Sequence, residues 1–307
     1  MSDNRGAARE QGSRVALVTC ADLPDLDPDD RRLLAPLRAR GVEAVPVVWD
    51  DPALDWSSFD LAVLRSTWDY PPRRKEFLAW AASVPRLANP ASVVSWNTDK
   101  RYLVELSLSD LPVVPTTWLA PDVPWQPPDT GEWVVKPAVG AGSRYCGRYR
   151  FDDPEQRRLA AAHAARLQGM GRLVMLQPYL RAVDSYGETS VLFIADPQRG
   201  GLTYSHAIRK GPMLAGPEQA TDSLYHPEQV TERVPSAAEL AVARRVLAEI
   251  PGGSDRLLYA RVDLIPGPDG RPLLVELELT EPSLFLGHDA GAAARFAAAI
   301  AARVAAG

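Results

Sequence analysis

The chain has 307 residues, 46% of them hydrophobic and 24% charged, with a formal net charge of −5 at pH 7. That is too long for one small core and suits two or three subdomains, and the acidic balance argues against nucleic acid or an anionic membrane as the main partner. Two cysteines, Cys20 and Cys146, with no Cys-x-x-Cys pair, exclude a disulfide framework and a cysteine zinc site and suit a reducing cytoplasm.

Residues 1–13 are polar, without the apolar run of a signal peptide or anchor, and read as a disordered tail. Residues 14–20 are a short apolar run, expected as a buried parallel strand. Leu33, Leu34 and Leu37 give residues 29–40 helical spacing, stopped by Gly41, and residues 42–49 and 59–64 read as further strands. Strand, helix, strand implies an open α/β domain, where ligands bind beyond the carboxyl ends of the strands. Arg65-Ser-Thr-Trp-Asp-Tyr70 lies there. It is either a capped turn before a helix at 75–82 or a small-molecule pocket, with the planar fork of Arg65 gripping a carboxylate beside Ser66, Thr67, Trp68 and Asp69. Residues 89–95 read as extended. Asn97 or Thr98 then caps a helix with Lys100 in its first turn, where lysine opposes the helix dipole unless an anion is bound.

Prolines at 112 and 115 and a proline-rich connection over 121–131 open a new section. Residues 132–136 form a strand ending in Lys136, followed by a loop with glycines at 140, 142 and 147 that leaves backbone amides open to phosphate. It is neither a Walker A loop nor a dinucleotide fingerprint, because no Gly-Lys-Ser/Thr follows and it leads into another strand at 148–151. A helix over 154–168 and a strand over 172–180, broken at Pro178, come next. Residues 187–194 and 202–210 form an antiparallel pair ending in Arg209 and Lys210. Residues 215–232 read as a mobile loop and 237–249 as a helix. The alanine-rich stretch 289–306, interrupted by Arg295 and Arg303, reads as an amphipathic surface helix rather than a membrane span.

Residues 259–280 read as a β-hairpin around a Pro/Gly/Asp turn. Alternation puts Leu273, Val275, Leu277 and Leu279 on one face and Glu276 and Glu278 on the other. Asp263 joins the glutamates only if opposed positions sum to an odd number, as with Ile265 facing Pro272. It is then a diagonal neighbour of Glu276, roughly 7–8 Å away. Such a patch is either a solvent-facing strand edge or a set of hard oxygen ligands for magnesium.

The order of these features (a helix-borne lysine, Val-Val-Lys-Pro before a glycine loop, Gln-Pro-Tyr-Leu, Gly-Glu-Thr-Ser, Ile-Arg-Lys-Gly, then Asp…Glu-x-Glu) resembles the ATP-grasp superfamily of carboxylate–amine ligases, on the glutathione-synthetase-like side. Leu64–Tyr70, Trp96–Leu103 and His206–Pro212 are similar to stretches of bacterial proteins of the O-ureido-serine cyclo-ligase type, the ring-closing enzymes of cycloserine biosynthesis.

The resemblance implies an α/β (α+β) ATP-grasp fold. A Rossmann-like pre-ATP-grasp substrate domain over 14–112 would precede two α+β subdomains gripping ATP, a lid at 113–181 and a metal-bearing unit at 182–307. It implies that Lys100, Lys136, Gly140, Gly142, Ser143, Gln177, Tyr179, Leu180 and Asp184 bind ATP. Arg209 would stabilise the transferring phosphoryl group, with Lys210 and Arg65 beside it. Glu188 would join the substrate residues, and Asp263, Glu276 and Glu278 would hold one or two Mg2+, with Mn2+ as the alternative. Glu278 stands where the family pattern has asparagine, which makes the site more negative. The implied partner is a small amino-acid or peptide substrate, with a homodimer as the family precedent.

The implied chemistry is attack of a substrate carboxylate on ATP, giving an acyl phosphate and ADP, then displacement of phosphate by a nitrogen. Such catalysis is positioning and charge neutralisation. Three readings follow: ring closure within one molecule, ligation of two amino acids or peptides, and a non-catalytic ATP-binding module.

Overall fold

The computed structural model describes residues 12–219, 223–225 and 228–307. Of the tail expected over 1–13, residues 1–11 lie outside that set, and Ser13 already belongs to the first strand.

The first sheet is parallel. Strand β1 (Ser13–Thr19) lies at its centre, its residues 15–19 buried. A 3-10 turn leads into α1 (Leu34–Arg38), and then come β2 (Val42–Val48), β3 (Leu61–Ser66), α2 (Arg74–Ser83) and β4 (Leu87–Ala88), in the order β2-β1-β3-β4. Pro46 sits on the edge strand β2, where a missing N–H costs no ladder bond on the open side. The extended segment expected over 89–95 is instead α3 (Ala91–Asn97), because Pro90 presets the entry and Val93 and Val94 give it a buried face. Lys100 therefore occupies the turn before α4 (Tyr102–Leu108), not a helix's first turn.

The second sheet is antiparallel, with β5 (Thr117–Leu119), β6 (Glu132–Pro137), β7 (Gly147–Arg150) and β8 (Val174–Pro178) in the order β5-β8-β6-β7. One face carries α5 (Pro154–Gly169), capped by Asp153 with Pro154 in the first turn.

After α6 (Ala182–Ser185), the third sheet is built from β9 (Glu188–Ala195), β10 (Leu202–Lys210), β11 (Val230–Arg233), β12 (Tyr259–Pro266) and β13 (Pro272–Glu278), in the order β11-β10-β9-β12-β13. Strand β11 closes part of the stretch expected to be loop. Helix α7 (Ala237–Ala248) starts with a Ser236–Glu239 capping box. Helix α8 (Ala292–Ala305) is amphipathic as expected, with Ala294 and Arg295 exposed, but its inner face belongs to the core. Its Phe296, Ala297 and Ile300 are buried in one cluster with Val15 and Leu17 of the first sheet and Leu192, Ile194 and Ile208 of the third. Its alanines let both sheets approach.

Strand β13 is an edge strand, and side chains cover it. Asn97 Nδ2 donates to Leu277 O (2.7 Å), and its Oδ1 accepts from Leu279 N (2.7 Å). Tyr102 Oη bonds both polar groups of Leu277 at 2.9 Å, and the 112–114 segment pairs with Leu274. These contacts satisfy an edge that would otherwise pair with another chain.

Candidate active site

A cleft of about 540 Å3, a usual size for a small-ligand site, is lined by residues of the second and third sheets and closed at one end by the first-sheet unit. Its acidic wall comes from β12 and β13. The hairpin starts in even register, with Pro266 opposite Pro272 and Leu264 opposite Leu274, and then shifts between Leu264 and Asp263. Val275 is the extra residue of a β-bulge. Beyond it the register is odd, so Asp263 lies directly opposite Glu276, not diagonally, and Arg261 lies opposite Glu278. The bulge also breaks the expected alternation: Leu274, Leu277 and Leu279 are buried in the core, while Val275, Glu276 and Glu278 line the cleft.

The carboxylates meet cations. Lys100 Nζ lies 2.9 Å from Glu276 and donates to Gly140 O at 3.0 Å. Arg261 forks onto Asp263 (Nε to Oδ1 3.0 Å, Nη2 to Oδ2 2.9 Å), donates to Ser283 O at 3.1 Å and pairs with Glu278. Lys210 joins Asp263 (3.1 Å) and Glu188. Lys136 lines the cleft with no ion pair among the described residues, and burial lowers its pKa.

These fields set the protonation states. Against burial, the Arg261 and Lys210 charges hold Asp263 well below the usual carboxylate range. Burial, with Glu276 and Asp263 adding to it and Arg261 opposing, pushes Glu278 up to about 8. Burial pushes Glu188 up to about 7 against the Lys210 charge, and Glu281 up to about 7 against Lys100 and a hydrogen bond from Tyr70. The Cys146 thiol is pushed up to about 11 by burial, so it is inert as a nucleophile.

Of the residues expected to hold ATP, Lys100, Lys136, Gly140, Gly142, Ser143, Gln177, Tyr179 and Leu180 all line this cleft. Asp184 does not. Its Oδ1 accepts from Tyr179 Oη at 2.5 Å and faces Arg148 at 3.4 Å. Gly142 has φ +62°, and an added Cβ would collide with Leu224 O, so the glycine loop packs tightly on that segment.

Three expectations need correction. Arg209 does not reach the cleft, because on β10 it alternates with Lys210; it donates to Tyr186 O (2.7 Å) and Ser185 O (3.1 Å). Arg65 is fully buried, 3.0 Å from Asp30 and packed against Tyr259 and Phe296, with Pro282 O as a further acceptor. It has no route to a substrate carboxylate. Ser66 bonds Asp30 (3.0 Å), Thr67 is buried, and Asp69 accepts from Trp49 (2.9 Å) and Arg73 (2.6 Å), so only Trp68 of that segment lines the cleft with Glu188. Conversely, Arg261 and Glu281 were missed. Arg261 lies two residues before Asp263 on a strand, which alone places both on one face.

The predicted magnesium ligands form no group of three metal-ready carboxylates among the described residues. Asp263 has both oxygens taken by Arg261 and Lys210. Glu276 and Glu278 remain a quarter exposed in the cleft. Two hard oxygen donors side by side on the cleft wall, where burial raises Glu278 and the neighbouring Glu276 and Asp263 add to it, fit a divalent cation.

A family model described as the N-terminal domain of the D-cycloserine synthetase DcsG matches residues 15–89. The cycloserine biosynthesis protein DcsG of Streptomyces lavendulae is 37% identical over 312 residues, spanning 94% of this chain and 98% of that protein. The crystal structure of D-cycloserine synthetase DcsG superposes with a TM-score of 0.82 at 37% identity, covering 95% of this chain and all (100%) of that one. D-alanyl-alanine synthetase A of Vibrio cholerae shares the fold, with a TM-score of 0.65 at 14% identity over 97% of this chain and 99% of that one.

Proposed function

The chain belongs to the DcsG family of ATP-grasp ligases, and we propose that it closes a ring on a small amino-acid derivative of the O-ureido-serine type. It is an ATP- and magnesium-dependent enzyme that joins a carboxylate to a nitrogen through an acyl phosphate. The observation that carries the reading is the composition of the cleft. Lys100, Lys136, Lys210 and Arg261 converge there, and among the described residues no lining serine or cysteine is hydrogen-bonded to a histidine.

In this reading Gln177, Tyr179 and Leu180 form the adenine end, with Asp184 toward the ribose. Lys100, Lys136 and the Gly140–Ser143 loop take phosphate oxygens. A substrate carboxylate oxygen attacks the γ-phosphorus and the bond to ADP breaks. Arg261, in the place expected for Arg209, and Lys210 neutralise the transferring group. The substrate nitrogen then attacks the acyl carbon, loses its proton, and phosphate leaves. Glu276 and Glu278 would hold magnesium, which supplies charge neutralisation at the phosphate oxygens. The divisions at 14–112, 113–181 and 182–307 correspond in this reading to substrate, lid and metal units. No helix among the described residues is long and apolar enough to cross a membrane, and the cysteine usage suits a cytoplasmic site.

The test is ADP and phosphate release with Mg-ATP and a panel of amino-acid carboxylates including O-ureido-serine, with and without hydroxylamine. A substrate-dependent hydroxamate is expected, as is turnover without any added amine. Turnover only when a second amine is present overturns ring closure in favour of joining two molecules.

A further inference from the structure

Five carboxylates stand along one wall of the cleft: Glu188, Asp263, Glu276, Glu278 and Glu281. The first four have a lysine or arginine within ion-pair distance. Glu281 has none among the described residues; it feels the Lys100 charge, which is paired with Glu276, and a hydrogen bond from the Tyr70 hydroxyl. A carboxylate taken from water without an ion pair is costly, and burial accordingly pushes this one up to about 7, so that a cation brought from outside would hold it charged.

The chain holds this residue with care. Trp68 Nε1 donates to Glu281 O at 2.9 Å, Arg65 donates to Pro282 O, and Tyr70, itself 2% exposed, fixes the carboxylate. Three side chains of one segment thus clamp one short stretch. Next to it, Trp68 and Tyr225 both line the cleft, their rings edge-on at 5.2 Å. Aromatic walls beside an unpaired carboxylate suit an organic ammonium better than a bare metal ion, which prefers further oxygen ligands.

We infer that Glu281 is the specificity-determining residue that receives the α-ammonium group of the amino-acid substrate, with Tyr70 as its positioning residue. This rests on the ligase reading above and names the substrate class more narrowly: a free, protonated α-amine is required. The segment 65–70 acts through Glu281 rather than on the substrate carboxylate.

The experiment compares kcat and KM of the full-length enzyme, E281Q and Y70F. Each is given the free-amine substrate that drives turnover and its des-amino analogue, with ATP affinity measured in parallel as a control for folding. A hydrogen bond to a charged group is worth roughly 10- to 100-fold. Wild type should prefer the free amine by that margin. E281Q should lose the preference through a rise in KM for the free amine alone, with ATP affinity kept. Y70F should show the same pattern with a smaller rise. The inference is overturned if E281Q binds ATP and keeps the preference, or if it loses both substrates equally. If E281Q fails to bind ATP, Y70F decides: an unchanged preference overturns the inference. No turnover by wild type with any amino-acid carboxylate would instead overturn the ligase reading, and this inference with it.

Discussion

Replacing Arg261 by lysine, beside Arg209→Ala as its counterpart, separates the two arginines that compete for the phosphoryl-stabilising role. Arg261 is 5% exposed and makes hydrogen bonds to Asp263 at 2.9–3.2 Å, to Ser283 O at 3.1 Å, and to Glu278. Lysine keeps the charge but cannot fork between two carboxylates. Losing one preorganised donor at a developing charge costs roughly 10²- to 10³-fold in kcat, about 3–4 kcal/mol. Full truncation to alanine would also leave Glu278 without its cation and Asp263 with Lys210 alone, which adds a loss of stability to the loss of activity and makes lysine the better probe. Arg209→Ala removes two hydrogen bonds to main-chain carbonyls, about 1–2 kcal/mol of stability, and touches nothing in the cleft. The assay is steady-state ADP release at saturating Mg-ATP, with thermal unfolding of each variant as the fold control. A folded but inactive Arg209→Ala alongside an Arg261→Lys within a few-fold of wild type would refute the reasoning.

Three further outcomes follow. Asn97→Ala leaves Leu279 N at the covered edge of β13 without a partner, while Leu277 O keeps the Tyr102 hydroxyl, and should lower stability by roughly 2 kcal/mol in urea unfolding; a loss below about 0.5 kcal/mol would mean the strand edge is satisfied otherwise. Gly142→Ala, at φ +62° with Tyr225 Cα 2.7 Å from the added Cβ, should raise KM for ATP by roughly 10-fold, since overpacking costs 1–3 kcal/mol, whereas an unchanged KM would show the loop free of the 223–225 segment. Burial holds His163 down to about 4, so between pH 6.5 and 4 the unfolded chain binds more protons and stability falls as pH falls. From pH 6.5 to 5 that amounts to about 2 kcal/mol, which His163→Gln should abolish; equal pH slopes in urea unfolding for the two proteins would contradict it.

The positions of the acidic hairpin and the glycine loop were legible because strand period and turn composition are local properties. The bulge was not, since Val275 has nothing local to mark it as the extra residue; only pairing with β12 reveals it. The choice between Arg209 and Lys210 turned on which face of β10 meets the cleft, a fact supplied by Asp263 on β12, two strands away, which Lys210 reaches across β9. Arg65 was misread because its partner, Asp30, is 35 positions away and the pair is sealed by Tyr259 and Phe296 from the far end of the chain. Residues 89–95 were read as extended, yet Pro90 fits a helix entry when buried valines follow.

The bulge divides the hairpin into two lengths that count independently. Residues on the turn side of Val275 keep their own even pairing, so insertions or deletions within residues 267–271 can change the tip while the acidic residues stay opposite their partners. Removal of Val275 alone leaves that pairing in place as well: Glu276 would follow Leu274 directly and still fall opposite Asp263, with only the local bend of the bulge lost. A one-residue deletion at Leu277 has no such freedom, because it would bring Glu278 opposite Val262 and turn it from the cleft into the core that Leu277 and Leu279 now fill. In this family member, then, tolerance to changes in chain length is graded along a single hairpin, permissive at its tip and absent between its two cleft-facing glutamates.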